Sequence, residues 1–204
     1  MKTSVAPKLL ALLIAMWFSN AGADYLQTVP TFWRTLHPDG GEGLYCGRDF
    51  ERFDRRYNIE HVFPMSWVAK SLRCGDRKRC RATSELFNRI ESDMHNMFPA
   101  RKDLNKRRGS MGFGLVSGER WVEPGCDMEI DNRARRVEPR PAVRGDIARA
   151  MLYMADRYDL KLYRKQRELL QRWERSDPPD AAEIERNRRV KSAQGWGNPW
   201  IEDR

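Results

Sequence analysis

The amino terminus of this chain decides the compartment in which it folds, and therefore which covalent links the fold can use. Lys2 and Lys8 precede an unbroken apolar run of ten residues, 9–18, and a small-x-small cleavage pattern ends at Ala23. We interpret residues 1–23 as a secretory signal peptide. The apolar run is too short to span a bilayer as a permanent anchor. An uncleaved amphipathic anchor is the alternative.

Cleavage after Ala23 leaves residues 24–204, which we expect to form a single domain with its own core. No other segment of the sequence is apolar enough for a membrane helix. We therefore expect a soluble, monomeric mature protein that is periplasmic or secreted.

Four cysteines follow the signal peptide: Cys46, Cys74, Cys80 and Cys126. An exported protein meets an oxidising compartment, so two disulfides are the default. Three pairings are possible. We favour Cys74–Cys80, which closes the short basic loop CGDRKRC and leaves Cys46–Cys126 to join distant segments. A four-cysteine zinc site is the rival, although the chain has no C-x-x-C pair.

The charge of the chain favours a polyanionic partner. Its 38 Lys and Arg against 29 Asp and Glu give a net charge of +9. Such an excess suits nucleic acid, anionic lipid or acidic polysaccharide. The excess is concentrated in residues 70–110, which hold 12 Lys and Arg and 5 Asp and Glu.

The first half of the mature chain predicts short elements of both kinds. Apolar spacing favours one helix from residue 82 to about Met97, with Leu86, Ile90 and Met94 on one face, broken by Pro99. The other segments are a short helix at 25–36, a strand at 57–63, a helix or ordered loop at 65–73, and a short helix at 100–107.

The second half predicts two short strands and then helices. Strands are expected within 111–116 and 120–130, and helices at 144–158, 162–176 and 177–195. The first of these helices places Ile147, Ala150, Met151 and Met154 on one apolar face. The last begins at Asp177 as its cap and ends at Gly195.

Three groups of polar side chains offer the parts of a phosphodiester hydrolase. An imidazole deprotonates water at neutral pH, carboxylate and amide oxygens suit Mg²⁺, and arginine matches phosphate geometry. Singly, each group also fits a surface salt bridge or a solvated face. The groups are the pair Glu60-His61; Asp93, His95, Asn96 and Asn105; and the basic loop with Arg73, Arg77, Lys78, Arg79 and Arg81.

Together these groups match a known family. The chain closely resembles the bacterial endonuclease I family of periplasmic and secreted nucleases, within the His-Me finger (ββα-metal) superfamily. The resemblance runs from about Tyr45 to Ile201. It is carried by five motifs in order: IEHVFP, CGDRKRC, ESDMHNMFPARKDLN, RGDIARAMLYM and AQGWGNPWI.

The resemblance implies a role for each part. His61 would be the general base that activates water, and Glu60 and Asn105 would be the protein ligands of a Mg²⁺-type ion, with Mn²⁺ or Ca²⁺ as alternatives. Arg77 would contact the scissile phosphate. The implied fold is α+β, with a β-hairpin and helix forming the metal finger and further helices packed around it. The implied substrate is DNA, with RNA as a second candidate.

Other matched residues would support the site or bind the substrate. Asp93 would cap or orient the finger, and His95 and Asn96 would support the site. The sequence departs from the family where KRRGS replaces the usual GDRxN after Asn105, and the segment before Tyr45 matches poorly. Expected contacts to nucleic acid come from Arg73, Lys78, Arg79, Arg81, Lys106, Arg107 and Arg108.

Adjacent residues of a regular strand point to opposite faces, so Glu60 and His61 pose a geometric problem. We expect the strand to end at this pair, with an irregular exit before Pro64 that turns Glu60 to the metal and His61 to the attacking water.

Two other functions compete with a nuclease. One is a secreted basic DNA-binding protein with a degenerate nuclease site. The other is a zinc protein that uses Cys74, Cys80, His61 and His95.

Overall fold

Helices and short strands alternate along the computed structural model, which describes residues 24–202. The α+β class expected from the sequence is confirmed. The predicted signal peptide, residues 1–23, lies outside the described residues. Between residues 24 and 202, no helix combines the length and the apolar character needed to cross a membrane.

The helices and strands have the following bounds. The helices are α1 Tyr25–Thr31, α2 Met65–Leu72, α3 Arg77–Thr83, α4 Glu85–Glu91, α5 Lys102–Arg108, α6 Arg144–Arg157, α7 Arg164–Ser176, α8 Ala181–Gln194 and α9 Pro199–Glu202. The strands are β1 Gly40–Glu42, β2 Asp49–Glu51, β3 Tyr57–His61, β4 Met97–Arg101, β5 Gly112–Phe113, β6 Glu129–Asp131 and β7 Arg136–Glu138. A π-helical turn, Phe32–Leu36, continues α1, and short 3₁₀ turns span Met94–Asn96 and Pro141–Val143.

Strands β3 and β4 and helix α5 form the ββα unit that the sequence predicts. The strands pair antiparallel, from Tyr57 opposite Arg101 to His61 opposite Met97. Helix α5 follows β4 without a loop and packs on both strands. Helices α2, α3 and α4 lie between the two strands in sequence, so the hairpin carries a long insertion.

Helix α6 lies in the middle of the main core. Its predicted apolar face is confirmed, because Ile147, Ala150, Met151 and Met154 are all buried. Helix α7 packs along it. A smaller core cluster lies under the amino-terminal helix, where Phe32 packs with residues of β3, β4 and α8.

The helix predicted from residue 82 to about Met97 is wrong in its second half. Helix α4 ends at Glu91, the Asp93 side chain caps the 3₁₀ turn, and β4 begins at Met97. Leu86 is 41% exposed, whereas Ile90 and Met94 are buried. Pairing with β3 overrides the helical spacing.

Pro99 lies within β4 rather than breaking a helix. A two-stranded sheet leaves one edge of each strand unpaired, and an edge strand tolerates the missing N–H of proline. The carbonyl oxygen of Pro99 still accepts a hydrogen bond from the Leu44 amide, 2.9 Å away.

The predicted cap of the last long helix is also wrong. Asp180, not Asp177, caps α8, since its Oδ1 accepts from the Glu183 amide at 2.8 Å. The carboxylate of Asp177 instead accepts from the Gly145 amide, 2.8 Å away, at the start of α6. Gly195 ends α8 as predicted, in the left-handed conformation with φ of 93°.

Residues 65–73 resolve as helix α2. Strand β5 falls in the predicted segment 111–116, β6 overlaps the predicted segment 120–130 only at residues 129 and 130, and β7 was not predicted. The favoured disulfides, Cys46–Cys126 and Cys74–Cys80, are both present. Zinc coordination by these cysteines is therefore excluded, because their sulfurs are not available as thiolates.

Candidate active site

Glu60, His61, Arg77 and Asn105 line one open cleft of about 660 Å³, which we call the site cleft. Its walls come from the end of β3, the first turns of α2 and α3, helix α5 and the two residues that follow it. The structure thus brings together the four residues to which the sequence assigned chemistry, from segments up to 45 positions apart.

The expectation for the Glu60-His61 pair is confirmed only in part: β3 ends at His61 and the chain bends at residues 62 and 63 before Pro64, but the strand is regular through both residues of the pair. Strand β3 continues through both residues, with Glu60 opposite Phe98 and His61 opposite Met97. Their side chains have different neighbours, as alternation along a strand requires. Both nevertheless border the site cleft.

Glu60 is 2% exposed, and burial raises its pKa although a cation and a hydroxyl donor beside the carboxylate partly offset that effect. Its Oε1 accepts from the Tyr45 hydroxyl at 2.8 Å and from Arg108 Nη1 at 2.7 Å. Burial raises the pKa of Glu60, while Arg108 and Tyr45 lower it. Its Oε2 takes part in no hydrogen bond among residues 24–202, so one carboxylate oxygen is left for a ligand.

Arg108 does not contact solvent, so its predicted role in binding nucleic acid is wrong. The residue is 1% exposed. Besides Glu60, its guanidinium donates to the carbonyl oxygens of His61 at 3.1 Å and Val62 at 2.7 Å. It lies one helical turn after the buried Leu104, on the inward face of α5. Its charge therefore compensates Glu60 inside the protein.

Asn105 supplies a second oxygen to the site cleft. Its Nδ2 donates to Asn58 Oδ1 at 3.0 Å and to the Ile59 carbonyl at 3.1 Å. With the amide nitrogen held in this way, its Oδ1 remains for a ligand. Together, the carboxylate of Glu60 and the amide oxygen of Asn105 are hard oxygen donors of the kind Mg²⁺ prefers. The donor set fits the expected ion.

His61 is 8% exposed, and its ring lies in an environment that keeps it neutral. Its Nε2 is 2.9 Å from the carbonyl oxygen of Glu91. A carbonyl can only accept, so Nε2 carries the proton and Nδ1 has the free lone pair. Burial lowers the pKa of His61 to about 4. The imidazole is therefore a neutral base at pH 7.

Glu91 was missed by the sequence reasoning, yet it organises one side of the site. Its fully buried carboxylate accepts a hydrogen bond from Arg77 Nε. It also accepts two from Arg81, from Nε at 2.6 Å and from Nη2 at 2.9 Å. A usable signal was its position four residues after Phe87, on the buried face of α4. A carboxylate on such a face needs cationic partners.

Arg77 lies at the first position of α3 with its side chain 48% exposed. Its Nε is bonded to Glu91, and the Tyr25 side chain is a further hydrogen-bonding partner of the same guanidinium. The open side of the guanidinium fork is the side that a phosphate would meet.

Tyr25 is another residue of the site that the sequence analysis missed. Its ring centre lies 5.4 Å from that of His61. The guanidinium carbons of Arg77 and Arg81 lie 5.4 and 4.9 Å from the same ring centre. Nothing in the local sequence connects the first turn of α1 with the site, because the contact depends on tertiary packing.

The three predicted supporting residues, Asp93, His95 and Asn96, lie behind the site. Within residues 24–202, none of them lines the site cleft. Asn96 holds the chain immediately after His61, since its amide bonds the Phe63 N–H at 2.6 Å and the Phe63 carbonyl at 3.0 Å. These two bonds fix the chain where it leaves β3.

Asp93 and His95 tie the finger to the rest of the protein. Asp93 Oδ2 accepts from the hydroxyls of Tyr153 and Tyr158, each at 2.7 Å. His95 Nε2 lies 3.1 Å from the Trp196 carbonyl oxygen, in the motif near the carboxyl terminus. The two residues therefore have structural contacts rather than contacts with the cleft.

The remaining predicted substrate contacts are on the surface. Arg73 lines a neighbouring groove with Lys70 and Tyr163, on the other side of α2. Arg81 is half-buried through its bonds to Glu91. The exposed members of the set are Arg73, Lys78, Arg79, Lys106 and Arg107.

A second group of possible metal ligands does not form a metal site. Cys46, Glu123 and Cys126 bring ligand atoms within 4.8 Å of one another. The two cysteines form a disulfide with each other, which leaves no thiolate. Glu123 is instead paired with Arg48 and Arg101.

Most of the chain is similar to known nucleases. A family model described as Endonuclease I matches residues 39–204. An extracellular deoxyribonuclease of Aeromonas hydrophila is 42% identical over 164 residues, or 78% of this chain and 70% of the relative. A periplasmic deoxyribonuclease of the same organism is 39% identical over 173 residues, or 83% and 73% of the two chains. An extracellular ribonuclease of Bacillus amyloliquefaciens is 33% identical over 129 residues, or 54% and 43%.

The expected location is confirmed by these relatives and by the covalent structure. The deoxyribonucleases are extracellular or periplasmic, and this chain has two disulfides of its own. Disulfides persist in such oxidising compartments. The protein is therefore periplasmic or secreted.

Proposed function

The chain belongs to the endonuclease I family, and we propose that it is a metal-dependent endonuclease that hydrolyses the phosphodiester bonds of DNA without sequence specificity. One observation carries the proposal. His61, a neutral imidazole whose Nδ1 is free, borders the same cleft as two hard oxygen donors and an open guanidinium.

His61 would act as the general base. Its Nδ1 takes a proton from the attacking water, and the Glu91 carbonyl keeps the Nε2–H in place throughout. The ring must gain a positive charge in this step. The buried Glu91 carboxylate, although it is paired with arginines, raises the proton affinity of His61. The hydrogen bond at Nε2 thus supports Nδ1 as the nitrogen that would act.

Arg77 would bind the scissile phosphate. Arg77 borders the cleft, and the bond from its Nε to Glu91 leaves the Nη side of the guanidinium for a phosphate. Guanidinium donors match two phosphate oxygens and stabilise the charge that builds up in the transition state. Arg81 contributes positive charge beside it while it remains bound to Glu91.

Glu60 and Asn105 would hold a Mg²⁺-type ion, with Mn²⁺ and Ca²⁺ as alternatives. When bound, such an ion would neutralise negative charge on the phosphate and on the leaving oxygen. Arg108 and Tyr45 orient the Glu60 carboxylate through Oε1. Asn58 orients Asn105 in the same way through the amide nitrogen.

Binding without sequence specificity would come from phosphate contacts by the exposed basic residues around the cleft, including Lys106 and Arg107. Affinity would then fall steeply as salt rises. All the proposed site residues come from one chain, so we propose that a monomer is active. The relatives include an enzyme named a ribonuclease as well as deoxyribonucleases, so RNA belongs in the first assays.

The test is nicking of supercoiled plasmid by the purified mature protein. We expect cleavage with Mg²⁺, no cleavage with EDTA, and loss of cleavage but not of DNA binding in His61→Ala. His37→Ala is the matched control, because His37 is another largely buried histidine that lies outside the cleft. Undiminished cleavage by His61→Ala would contradict the proposal. Retention on DNA with no scission in any divalent metal would favour the degenerate binding protein instead.

A further inference from the structure

We propose that Tyr25 is a positioning residue for the catalytic pair, holding the His61 ring and the Arg77 guanidinium through its aromatic face. The inference rests on the proposed function, because it assumes that His61 and Arg77 perform the chemistry. Tyr25 lies outside the segment that matches the family model. That match begins at residue 39, whereas Tyr25 opens helix α1. The site would thus be completed by a segment that the family pattern does not include.

The contacts of Tyr25 converge on the groups that would perform the chemistry. Its ring lies against His61 with the two planes inclined at 46°. The same ring lies within 5.4 Å of the guanidinium carbons of both Arg77 and Arg81. Arginine is attracted to an aromatic face at this range, and more strongly where water is excluded.

The bonds to Glu91 alone leave the His61 ring and the Arg77 guanidinium free to rotate about the bonded nitrogen. Glu91 bonds His61 at Nε2 and Arg77 at Nε, which is one hydrogen bond to each. A single hydrogen bond fixes an atom but not the plane of the ring or guanidinium that carries it. The face of Tyr25 supplies the second constraint, so that Nδ1 and the Nη groups keep their directions.

Tyr25 is itself held in place by its helix. The Asp24 side chain caps α1 at the Leu26 amide, 2.9 Å away. Tyr25 and Val29 pack against the core cluster around Phe32, which also includes Ile59 of β3. The helix therefore sits on the strand that carries Glu60 and His61, and it also contacts α4, which carries Glu91.

The experiment compares four variants in steady-state cleavage of a short oligonucleotide duplex. Tyr25→Ala is expected to lower kcat about 10- to 100-fold, because small misplacements of reacting groups have effects of this size, while KM changes less than about threefold. Tyr25→Phe keeps the aromatic face and should remain within about twofold of wild type. Leu26→Ala, on the same helix with a side chain that is 67% exposed, is the control and should match wild type.

Tyr25→Leu covers the case in which Tyr25→Ala fails to fold, since it keeps apolar bulk under α1 without an aromatic face. Its kcat should fall as well. Wild-type kcat in a folded Ala or Leu variant would overturn the inference. Loss in Tyr25→Phe equal to that in Tyr25→Ala would also overturn it, because the hydroxyl and not the face would then be responsible.

A second readout does not require activity. In ¹⁵N NMR spectra of the metal-free protein, the Arg77 Nε–H should give a sharp, slowly exchanging signal that broadens in Tyr25→Ala and persists in Tyr25→Phe. An unchanged signal in a folded Tyr25→Ala protein would contradict the positioning role. If wild type cleaves and His61→Ala does not, the proposed function stands whatever the Tyr25 variants do, so the two proposals fail separately.

Discussion

Glu60 and His61 are neighbours on β3, but the protein holds them by opposite means. Glu60 is surrounded by a buried cation and a hydroxyl donor, whereas the polar contact of His61 is a carbonyl oxygen. Burial opposes charge on both residues. Arg108 partly offsets that effect for Glu60, and the Glu91 carbonyl partly offsets it for His61.

The difference shows how one strand can present an anion and a neutral base side by side. When two neighbouring groups lie in different environments, their pKa values differ, and they can then take different roles as acid, base or metal ligand. Alternation along β3 makes this possible, because it sends adjacent side chains into separate surroundings. The irregular strand exit expected at this pair instead follows it, at residues 62 and 63.

The largest effect is expected on the Glu60 side. Arg108→Ala should lower the free energy of unfolding by about 3–5 kcal/mol, because it leaves a buried carboxylate without its cation. Urea unfolding monitored by circular dichroism measures this. Arg107→Ala, on the exposed side of the same helix, is the control and should change stability by less than about 0.5 kcal/mol. If Arg108→Ala lowered the free energy of unfolding no more than that control, Glu60 would not depend on a buried cation, and the contrast with His61 would be wrong.

The His61 side should dominate the response to acid. His61 has a pKa of about 4 in the folded protein and about 6.5 when unfolded. Below pH 6.5 the unfolded chain therefore binds the proton first, and stability falls until about pH 4. The loss should be on the order of 3 kcal/mol.

The acid response is measured as a difference between wild type and His61→Gln, both in EDTA. His37 and His95 also have pKa values lowered to about 4 by burial, but they are present in both proteins and cancel. The stability of wild type relative to His61→Gln should decrease between pH 7 and pH 4. A difference that stays constant over that range would mean that His61 is not held neutral by the fold.

A smaller effect is expected from Glu91→Gln. The substitution keeps the backbone carbonyl that holds His61 but removes the carboxylate that pairs with Arg77 and Arg81. We expect kcat for DNA cleavage to fall about tenfold through misplacement of Arg77, with Mg²⁺ affinity unchanged because the Glu60 side is untouched. Titration of activity with Mg²⁺ gives both quantities. A change in Mg²⁺ affinity as large as the change in kcat would show that the two sides are not independent.

Sequence reasoning succeeded where one physical rule dominates. Helix α6 was predicted because Ile147, Met151 and Met154 follow the helical period and nothing competes with it. The disulfides followed from export and from the spacing of the cysteines. Segment 92–101 failed because short apolar runs fit a helix and a strand equally well, and pairing with β3 decides between them.

The site was predictable in its reacting residues but not in the groups that tune them. The sequence does not show whether a basic residue is solvated or buried. Arg108 was therefore grouped with Lys106 and Arg107. The bond from His61 to the Glu91 carbonyl has no sequence signal, because any residue has a carbonyl. The contact of Tyr25 depends on how α1 packs on β3, which local pattern does not report.

The state of the His61 ring at pH 7 tests the central claim most directly. We expect a neutral imidazole with the proton on Nε2 and a free Nδ1, because Nε2 donates to the Glu91 carbonyl and burial disfavours the charged form. ¹⁵N NMR of histidine-labelled, metal-free protein distinguishes the tautomers, with His61→Gln used for assignment. An Nε2–H neutral ring at pH 7 would support the account. An imidazolium, or a ring protonated on Nδ1 alone, would contradict it.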